Sequence, residues 1–281
     1  MRRTVQALVE IPSAAAVQAG SPGLMACMDP KDSTAWLDHF ERNRLHRPEP
    51  DWHRPTPFPA PAAAPLARSL AHFQLGESGE GATLLSEARR TWADDPDYVA
   101  ALALFVAEEQ EHARLLEHLV ARFGGTLVTT HWTHRCFRTL RRALGVGFEI
   151  QTLVMAEVIG TAYYRLLRST GDTVLREVCE LMLRDEIPHL QFHTDRVVIA
   201  QFGWPSWRRA LWTAQFRFLF RAAVTAAWID HRTALLALGV NRRLFTTEAR
   251  AESRVWLLRR SGTARPRQEG GEILSWSNRK A

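Results

Sequence analysis

The stretch EEQEH spans Glu108 to His112, and the stretch DEIPH spans Asp185 to His189. Each contains a glutamate that is followed three residues later by a histidine. Positions i and i+3 project from the same face of an α-helix, so each pair can direct a carboxylate and an imidazole at one point. Both stretches lie inside long segments in which apolar residues recur with helical spacing. We therefore predict two helices that present metal-ligand side chains to a common core.

A further glutamate precedes each pair at the same distance. Glu80 lies 29 residues before Glu109, and Glu157 lies 29 residues before Glu186. Four carboxylates and two imidazoles form the ligand set of a dinuclear metal centre between helices, and four negative charges neutralise two divalent cations. The six predicted metal ligands are Glu80, Glu109, His112, Glu157, Glu186 and His189.

A stripe of carboxylates at helical spacing is usually a solvated helix face, but the neighbours of these glutamates are apolar. Glu109 shares its helix face with Phe105 and Leu116. Burial of an unpaired carboxylate costs several kcal/mol, so four carboxylates on core-facing positions require cations. The first ligand has an alternative, because Glu77 lies one turn before Glu80 on the same stripe. The equal 29-residue offset favours Glu80.

The order Glu, Glu-x-x-His, Glu, Glu-x-x-His resembles the ferritin-like di-iron carboxylate superfamily. The resemblance covers about residues 66–202 and implies a ferritin-like four-helix bundle there. Patterns in the rest of the chain predict an N-terminal helix with a Pro-rich strap and additional C-terminal helices, so we expect an all-α fold. The resemblance also implies two iron ions, or manganese and iron, as cofactors, and O2 as a co-substrate. By the same resemblance, the acid before each pair orients a histidine of the other pair. Asp185 would then hold His112, and Glu108 could hold His189.

The chain divides into five predicted segments, which are a disordered or misassigned N-terminal segment (1–32), a short helix with an extended Pro-rich strap (33–65), the ferritin-like bundle (66–202), accessory helices (203–260) and a disordered tail (261–281). We expect Ser33 to cap the short helix.

Helix boundaries follow from capping residues and glycines. The first bundle helix is predicted over residues 66–92, although three glycines near its middle disfavour a regular helix. Asp95 should cap the second helix, which ends at Gly124, and Thr126–His134 should cross the bundle. The third helix runs to about Ser169, and Asp172 should cap the fourth.

Four residues near the predicted ligands have open roles. Pro188 should bend the fourth helix because it lacks a backbone N–H. His193, one turn beyond the second pair, is either a further ligand or, more simply, a packed histidine. Tyr163 and Tyr164 should lie near the site and are expected to serve in packing.

Composition excludes several classes of function. The chain has 281 residues and a formal charge of +6, but it contains no run of five basic residues, which disfavours nucleic-acid binding. Its three cysteines form no Cys-x-x-Cys pair, so a disulfide framework is not expected and a reducing cytoplasm fits. No apolar stretch reaches about 18 residues, so we expect no stable membrane insertion.

Three functions fit these patterns. The first is a di-iron oxidase or oxygenase that acts on a small organic substrate and needs an electron donor, since helices outside the bundle can close an apolar pocket. The second is an iron-oxidising storage protein. The third is a non-catalytic helical interaction protein with a structural metal. The aromatic, arginine-rich segment 206–238 is compatible with a homodimer.

Overall fold

The computed structural model describes residues 32–55, 58–132 and 146–260, which contain helices, turns and extended segments and no strand. The helices are α1 (Ser33–Arg44), α2 (Ala60–Glu77), α3 (Ala82–Thr91), α4 (Pro96–Arg122), α5 (Val146–Arg168), α6 (Thr173–Ala200), α7 (Ser206–Ala237) and α8 (Arg242–Arg260). The prediction of an all-α fold is therefore confirmed for these residues. None of these helices combines the length and apolar character needed to cross a membrane.

Some sequence-based expectations fall on other residues. The predicted N-terminal segment 1–32, apart from Asp32, and the predicted tail 261–281 lie outside the described residues. The segment expected to cross the bundle, Thr126–His134, is described only as far as Trp132.

Two packed helix pairs, α2 with α4 and α5 with α6, enclose the centre of the fold. A short turn joins α5 to α6, while α4 also contacts α6 and so connects the two pairs. The helices α7 and α8 pack on the outside, α7 against α2 and α8 against α5. Fully buried side chains such as Leu116, Val158 and Met182 fill the core between these helices. Side chains of the four helices α2, α4, α5 and α6 therefore share one core.

The short helix α1 packs against α4 around a second, smaller core. Trp36 and Phe40 of α1 are buried there with Phe105 and Phe192. The indole nitrogen of Trp36 also donates to Asp195 Oδ2 at 2.9 Å. Contacts with both α4 and α6 thus fix α1 across the two helix pairs.

The predicted caps of two long helices are confirmed. The carboxylate of Asp95 accepts from the backbone N–H of Tyr98 at 3.1 Å, and that of Asp172 accepts from Leu175 at 2.8 Å. Both bonds satisfy N–H groups that have no partner in the first helical turn.

The cap predicted for α1 is wrong by one residue. Asp32 caps this helix, because its carboxylate accepts from the backbone N–H of Ala35 at 2.8 Å. Ser33 instead donates its hydroxyl to Asp95 Oδ2 at 2.9 Å and so links α1 to the start of α4.

The Pro-rich strap is shorter than predicted, since α2 already begins at Ala60. Pro61 lies in the first turn, where its missing N–H would have no helical partner anyway. Pro65 lies inside α2 and removes one backbone hydrogen bond, yet the helix continues. Helix α6 likewise continues through Pro188. Proline therefore ends neither helix.

The predicted helix over residues 66–92 is in fact two helices, α2 and α3, separated by residues 78–81. Gly81 adopts a left-handed conformation with φ of 63°, which residues other than glycine rarely tolerate. A Cβ atom at this position would lie 2.7 Å from the side chain of Val106 on α4. The break therefore requires glycine both for its backbone conformation and for its close approach to α4.

We expect Gly81→Ala to lower the free energy of unfolding by about 2 kcal/mol, because the left-handed conformation strains a Cβ and Val106 must move. Urea denaturation followed by circular dichroism measures this loss. Gly79→Ala is the matched control, since no atom lies within 4 Å of a Cβ there. Equal stability of the two variants would contradict the role assigned to Gly81.

Candidate metal centre

Five of the six predicted ligands converge at the centre of the two helix pairs. Glu109 and His112 lie on α4, Glu157 on α5, and Glu186 and His189 on α6. His189 Nδ1 lies 3.0 Å from Glu109 Oε1, and His112 Nδ1 lies 3.6 Å from Glu186 Oε1. Each histidine thus faces the glutamate of the other pair.

The structure does not bring Glu80 to this centre. Glu80 is exposed in the turn after α2, because the helix ends three residues before it. Glu77, the last residue of α2, points inward instead and shares a hydrogen bond with Glu109. The hydroxyl of Tyr164 also donates to Glu77 Oε1 at 3.4 Å. Glu77 therefore occupies the position that the sequence pattern assigned to Glu80.

The side chains that meet at the centre, called the six-residue cluster below, are Glu77, Glu109, His112, Glu157, Glu186 and His189. Two sets of three ligand atoms within it lie within 4.8 Å of one another, and each set can hold a metal ion. These sets belong to Glu109, His112 and His189, and to Glu157, Glu186 and His189.

Several inward-facing atoms of the cluster are buried and make no hydrogen bond of good geometry, although His189 Nδ1 and Glu109 Oε1 lie 3.0 Å apart. These atoms are Glu109 Oε1, His112 Nδ1, Glu186 Oε2 and His189 Nδ1. A buried polar atom without a partner costs about 1–3 kcal/mol, and native structures contain few of them. Carboxylate oxygens and imidazole nitrogens that converge in this way fit divalent transition-metal ions, which would satisfy all four atoms at once.

Burial and mutual repulsion shift the acid–base behaviour of the carboxylates. Burial and the negative charge of Glu109 raise the pKa of Glu77 well above its usual range. Burial and the charge of Glu186 do the same to the pKa of Glu157. Burial raises the pKa of Glu186 to about 7. Without a cation, the cluster therefore retains protons at a pH where free carboxylates are ionised.

The acids that precede the two pairs hold the histidines from outside, as the resemblance implied. Asp185 Oδ2 lies 3.2 Å from His112 Nε2, and Glu108 Oε2 lies 2.8 Å from His189 Nε2. Each Nε2–H can donate to its acid. When a metal binds, a deprotonated Nδ1 would then present its lone pair to the ion. Hydrogen bonds of this kind fix the tautomer and orientation of metal-binding imidazoles.

Helix α1 and the residues after it hold these two acids in turn. Arg47 contacts Asp185 Oδ2 at 2.5 Å and Glu108 Oε1 at 2.8 Å. The amide of Asn43 donates to the same carboxylates, at 3.1 Å and 2.7 Å respectively. Burial by itself would raise the pKa of Asp185, but the hydrogen bond and charge of His112, with the charge of Arg47, hold it well below its usual range. Both acids are therefore ionised at neutral pH.

The sequence analysis did not identify Asn43 and Arg47. They lie 142 and 138 residues before Asp185, in the segment predicted to form a short helix and a Pro-rich strap. A basic residue followed by prolines carries no periodic or spacing signal for such a contact. The structure alone reveals it.

A cavity of about 200 Å³ adjoins the cluster. Glu77, Glu109, Glu157 and Glu186 line part of its wall, and α7 closes another part with small residues such as Ala227. The other lining side chains include Phe73, Leu153, Ala156 and Ile159. An apolar compartment therefore borders the carboxylate oxygens of the cluster.

His193 is buried near the cluster and packs edge-on against Phe105, with ring centroids 4.7 Å apart. Neither of its ring nitrogens has a hydrogen-bond partner. Burial and the charge of His189 lower the pKa of His193 to about 3, so its imidazole is neutral near pH 7. His193 thus packs in the core, but both of its ring nitrogens lack a hydrogen bond.

We expect Arg47→Met to lower the free energy of unfolding by about 3 kcal/mol, because it removes the arginine that contacts both buried carboxylates. Arg44→Met is the control, since Arg44 is the last residue of α1, three residues before Arg47, and pairs with Glu41 on the surface. Thermal unfolding of both variants beside the wild type tests this. Equal losses in the two variants would contradict the role of Arg47.

The metal-free protein should become less stable as the pH rises from about 4.5 to 7, because folded Glu186 keeps a proton that the unfolded chain releases. Glu186→Gln removes the contribution of Glu186 to this dependence, whereas Glu77, Glu109 and Glu157, whose pKa values are also raised, keep theirs. The variant should therefore gain stability over the wild type across that range, at about 1.4 kcal/mol per pKa unit. Urea unfolding in EDTA at several pH values measures the difference. The control is Glu117→Gln, on the exposed face of α4. If the stability of Glu186→Gln fell with rising pH as steeply as that of the wild type, the prediction would be wrong.

Comparisons of the chain with protein-family models, with characterised proteins and with solved structures found no significant match. The geometry itself supports a general conclusion. The described part of the chain is all-helical and contains buried glutamate and histidine side chains that can bind metal.

Proposed function

We propose that this chain is a ferritin-like dinuclear metal enzyme, a di-iron oxidase or oxygenase that acts on a small organic substrate with O2. The observation that carries the proposal is the six-residue cluster, in which four carboxylates and two imidazoles from α2, α4, α5 and α6 converge. Several of its inward atoms make no hydrogen bond of good geometry. Four carboxylates balance the charge of two divalent cations, and this ligand set is that of the di-iron bundles.

The ligand chemistry supports iron or manganese. A mixture of carboxylate oxygens and imidazole nitrogens suits these transition metals, whereas magnesium and calcium prefer oxygen ligands alone. Two bound iron ions would supply the one-electron redox chemistry that activates O2.

The protein's own residues would set the environment of that chemistry. Asp185 and Glu108 orient the two imidazoles, and the histidines together with Arg47 hold the pKa of both acids below its usual range. Burial raises the pKa of Tyr164 well above its usual range, so its hydroxyl stays protonated and can donate a hydrogen bond to Glu77.

The cavity supports a small substrate. At about 200 Å³ it is smaller than typical pockets for drug-sized ligands, which occupy roughly 300–1,000 Å³. Its wall combines apolar side chains with the cluster carboxylates, so a largely apolar molecule could lie beside the metals. The proposal also includes an external electron donor and allows a homodimer.

We expect the wild type to bind two more Fe(II) ions per chain than the double variant Glu109→Ala, Glu186→Ala after anaerobic loading. Glu77→Ala should lose iron, whereas the control Glu80→Ala should retain the wild-type content, because Glu80 is exposed outside the cluster. Metal analysis of the four proteins measures this. Loss of iron from Glu80→Ala but not from Glu77→Ala would show that the ligand assignment is wrong.

Exposure of the loaded protein to O2 then tests the chemistry. The wild type should consume O2, and the double variant should not. No difference in iron content between these two proteins would refute the dinuclear centre. Iron binding without O2 uptake would indicate a structural metal, and a large shell of many subunits on gel filtration would indicate iron storage. Either result would overturn the proposed enzyme.

A further inference from the structure

A second group of potential ligands lies outside the six-residue cluster. His72 lies on α2, Asp230 and His231 lie on α7, and His131 follows α4. His72 Nδ1 lies 3.4 Å from Asp230 Oδ2, and His231 Nε2 lies 3.7 Å from the same oxygen. One carboxylate oxygen therefore faces two imidazole nitrogens that come from different helices.

These distances fit ligands around a single ion. Metal–nitrogen bonds of about 2.0–2.1 Å place two ligand atoms about 3.3 Å apart in tetrahedral geometry. The ligand atoms of His72, Asp230 and His231 all lie within 4.8 Å of one another. His72 Nδ1 is buried, and its separation of 3.4 Å from Asp230 Oδ2 is too long for a strong hydrogen bond. An ion between the three atoms would satisfy it.

Neighbouring groups fix the orientation of these ligands. Ser69 Oγ lies 2.8 Å from His231 Nδ1 and 2.6 Å from the hydroxyl of Tyr163. A proton on Nδ1 that is donated to Ser69 leaves the Nε2 lone pair directed at Asp230. His131 Nε2 lies 3.1 Å from the other oxygen, Asp230 Oδ1. Outer partners of this kind are typical of metal-binding histidines and carboxylates.

The group also borders the cavity beside the six-residue cluster. His72, Asp230 and His231 line this cavity together with the cluster glutamates. His72 and Glu77 lie five residues apart on α2, or about 7.5 Å along the helix axis at roughly 1.5 Å per residue. The two groups are thus neighbours on one cavity but share no ligand.

We propose that His72, Asp230 and His231 form a mononuclear site for a divalent transition-metal ion, separate from the six-residue cluster. Two imidazoles and one carboxylate bind zinc, cobalt and iron in preference to magnesium and calcium. Three protein ligands leave coordination positions open, and the cavity gives water or a small molecule access to them. The proposal is independent of the proposed dinuclear enzyme, because the residues differ.

Cobalt(II) titration of the full-length double variant Glu109→Ala, Glu186→Ala isolates this site. We expect this protein to bind one Co(II) per chain and to show visible d–d absorption. Thiolate-to-cobalt charge-transfer bands should be absent, because no thiolate takes part. Adding Asp230→Asn should abolish binding. Adding His118→Gln, a change at an exposed histidine on α4, should leave binding unchanged.

His72→Gln in the same background provides a second test if Asp230→Asn fails to fold, as judged by circular dichroism. The proposal would be overturned if the double variant bound no Co(II). It would also be overturned if a folded variant with Asp230→Asn or His72→Gln bound Co(II) as well as the double variant does. The outcome is distinct from that of the dinuclear proposal. If wild type and double variant each bind one Co(II), the mononuclear site stands and the dinuclear centre fails.

Discussion

The mutual repulsion of carboxylates at the centre of the helices is the constraint on which the rest of the structure depends. Glu77, Glu109, Glu157 and Glu186 come from four helices and face one another beside an apolar cavity. Such an arrangement persists only with protons or cations between the carboxylates, because buried like charges are costly. The raised pKa values of these groups express that cost in the absence of metal.

Charge alternates outward from this centre. The inner carboxylates face His112 and His189, the imidazoles face the acids Asp185 and Glu108, and those acids face Arg47. Asp185 and Glu108 therefore each contact a histidine on one side and Arg47 on the other. Helix α1 therefore belongs to the site as much as the four long helices do, although it supplies no ligand of the cluster.

The sequence predicted those parts of the site that depend on spacing within one helix. Both Glu-x-x-His pairs lie on long helices, and Asp185 and Glu108 contact the histidines expected from the resemblance. The structure does not bring Glu80 to the cluster, because an offset between two helices depends on the segment that joins them. Helix α2 ends at Glu77 and α3 intervenes before α4, whereas a short turn joins α5 to α6. The contacts of Arg47 join segments far apart in the chain, so no local pattern could reveal them.

The end of α2 makes the six-residue cluster mechanically asymmetric. Five of its side chains project from helix interiors, where backbone hydrogen bonds on both sides hold the Cα atoms in place. Glu77 alone stands at a helix terminus, followed by a turn, and the partial negative charge of that terminus disfavours an anion there. Displacement of this carboxylate disrupts the least secondary structure. Glu77 is therefore the most easily displaced side chain of the cluster. A change in the size or charge of an ion held by the cluster would be accommodated first by movement of this carboxylate.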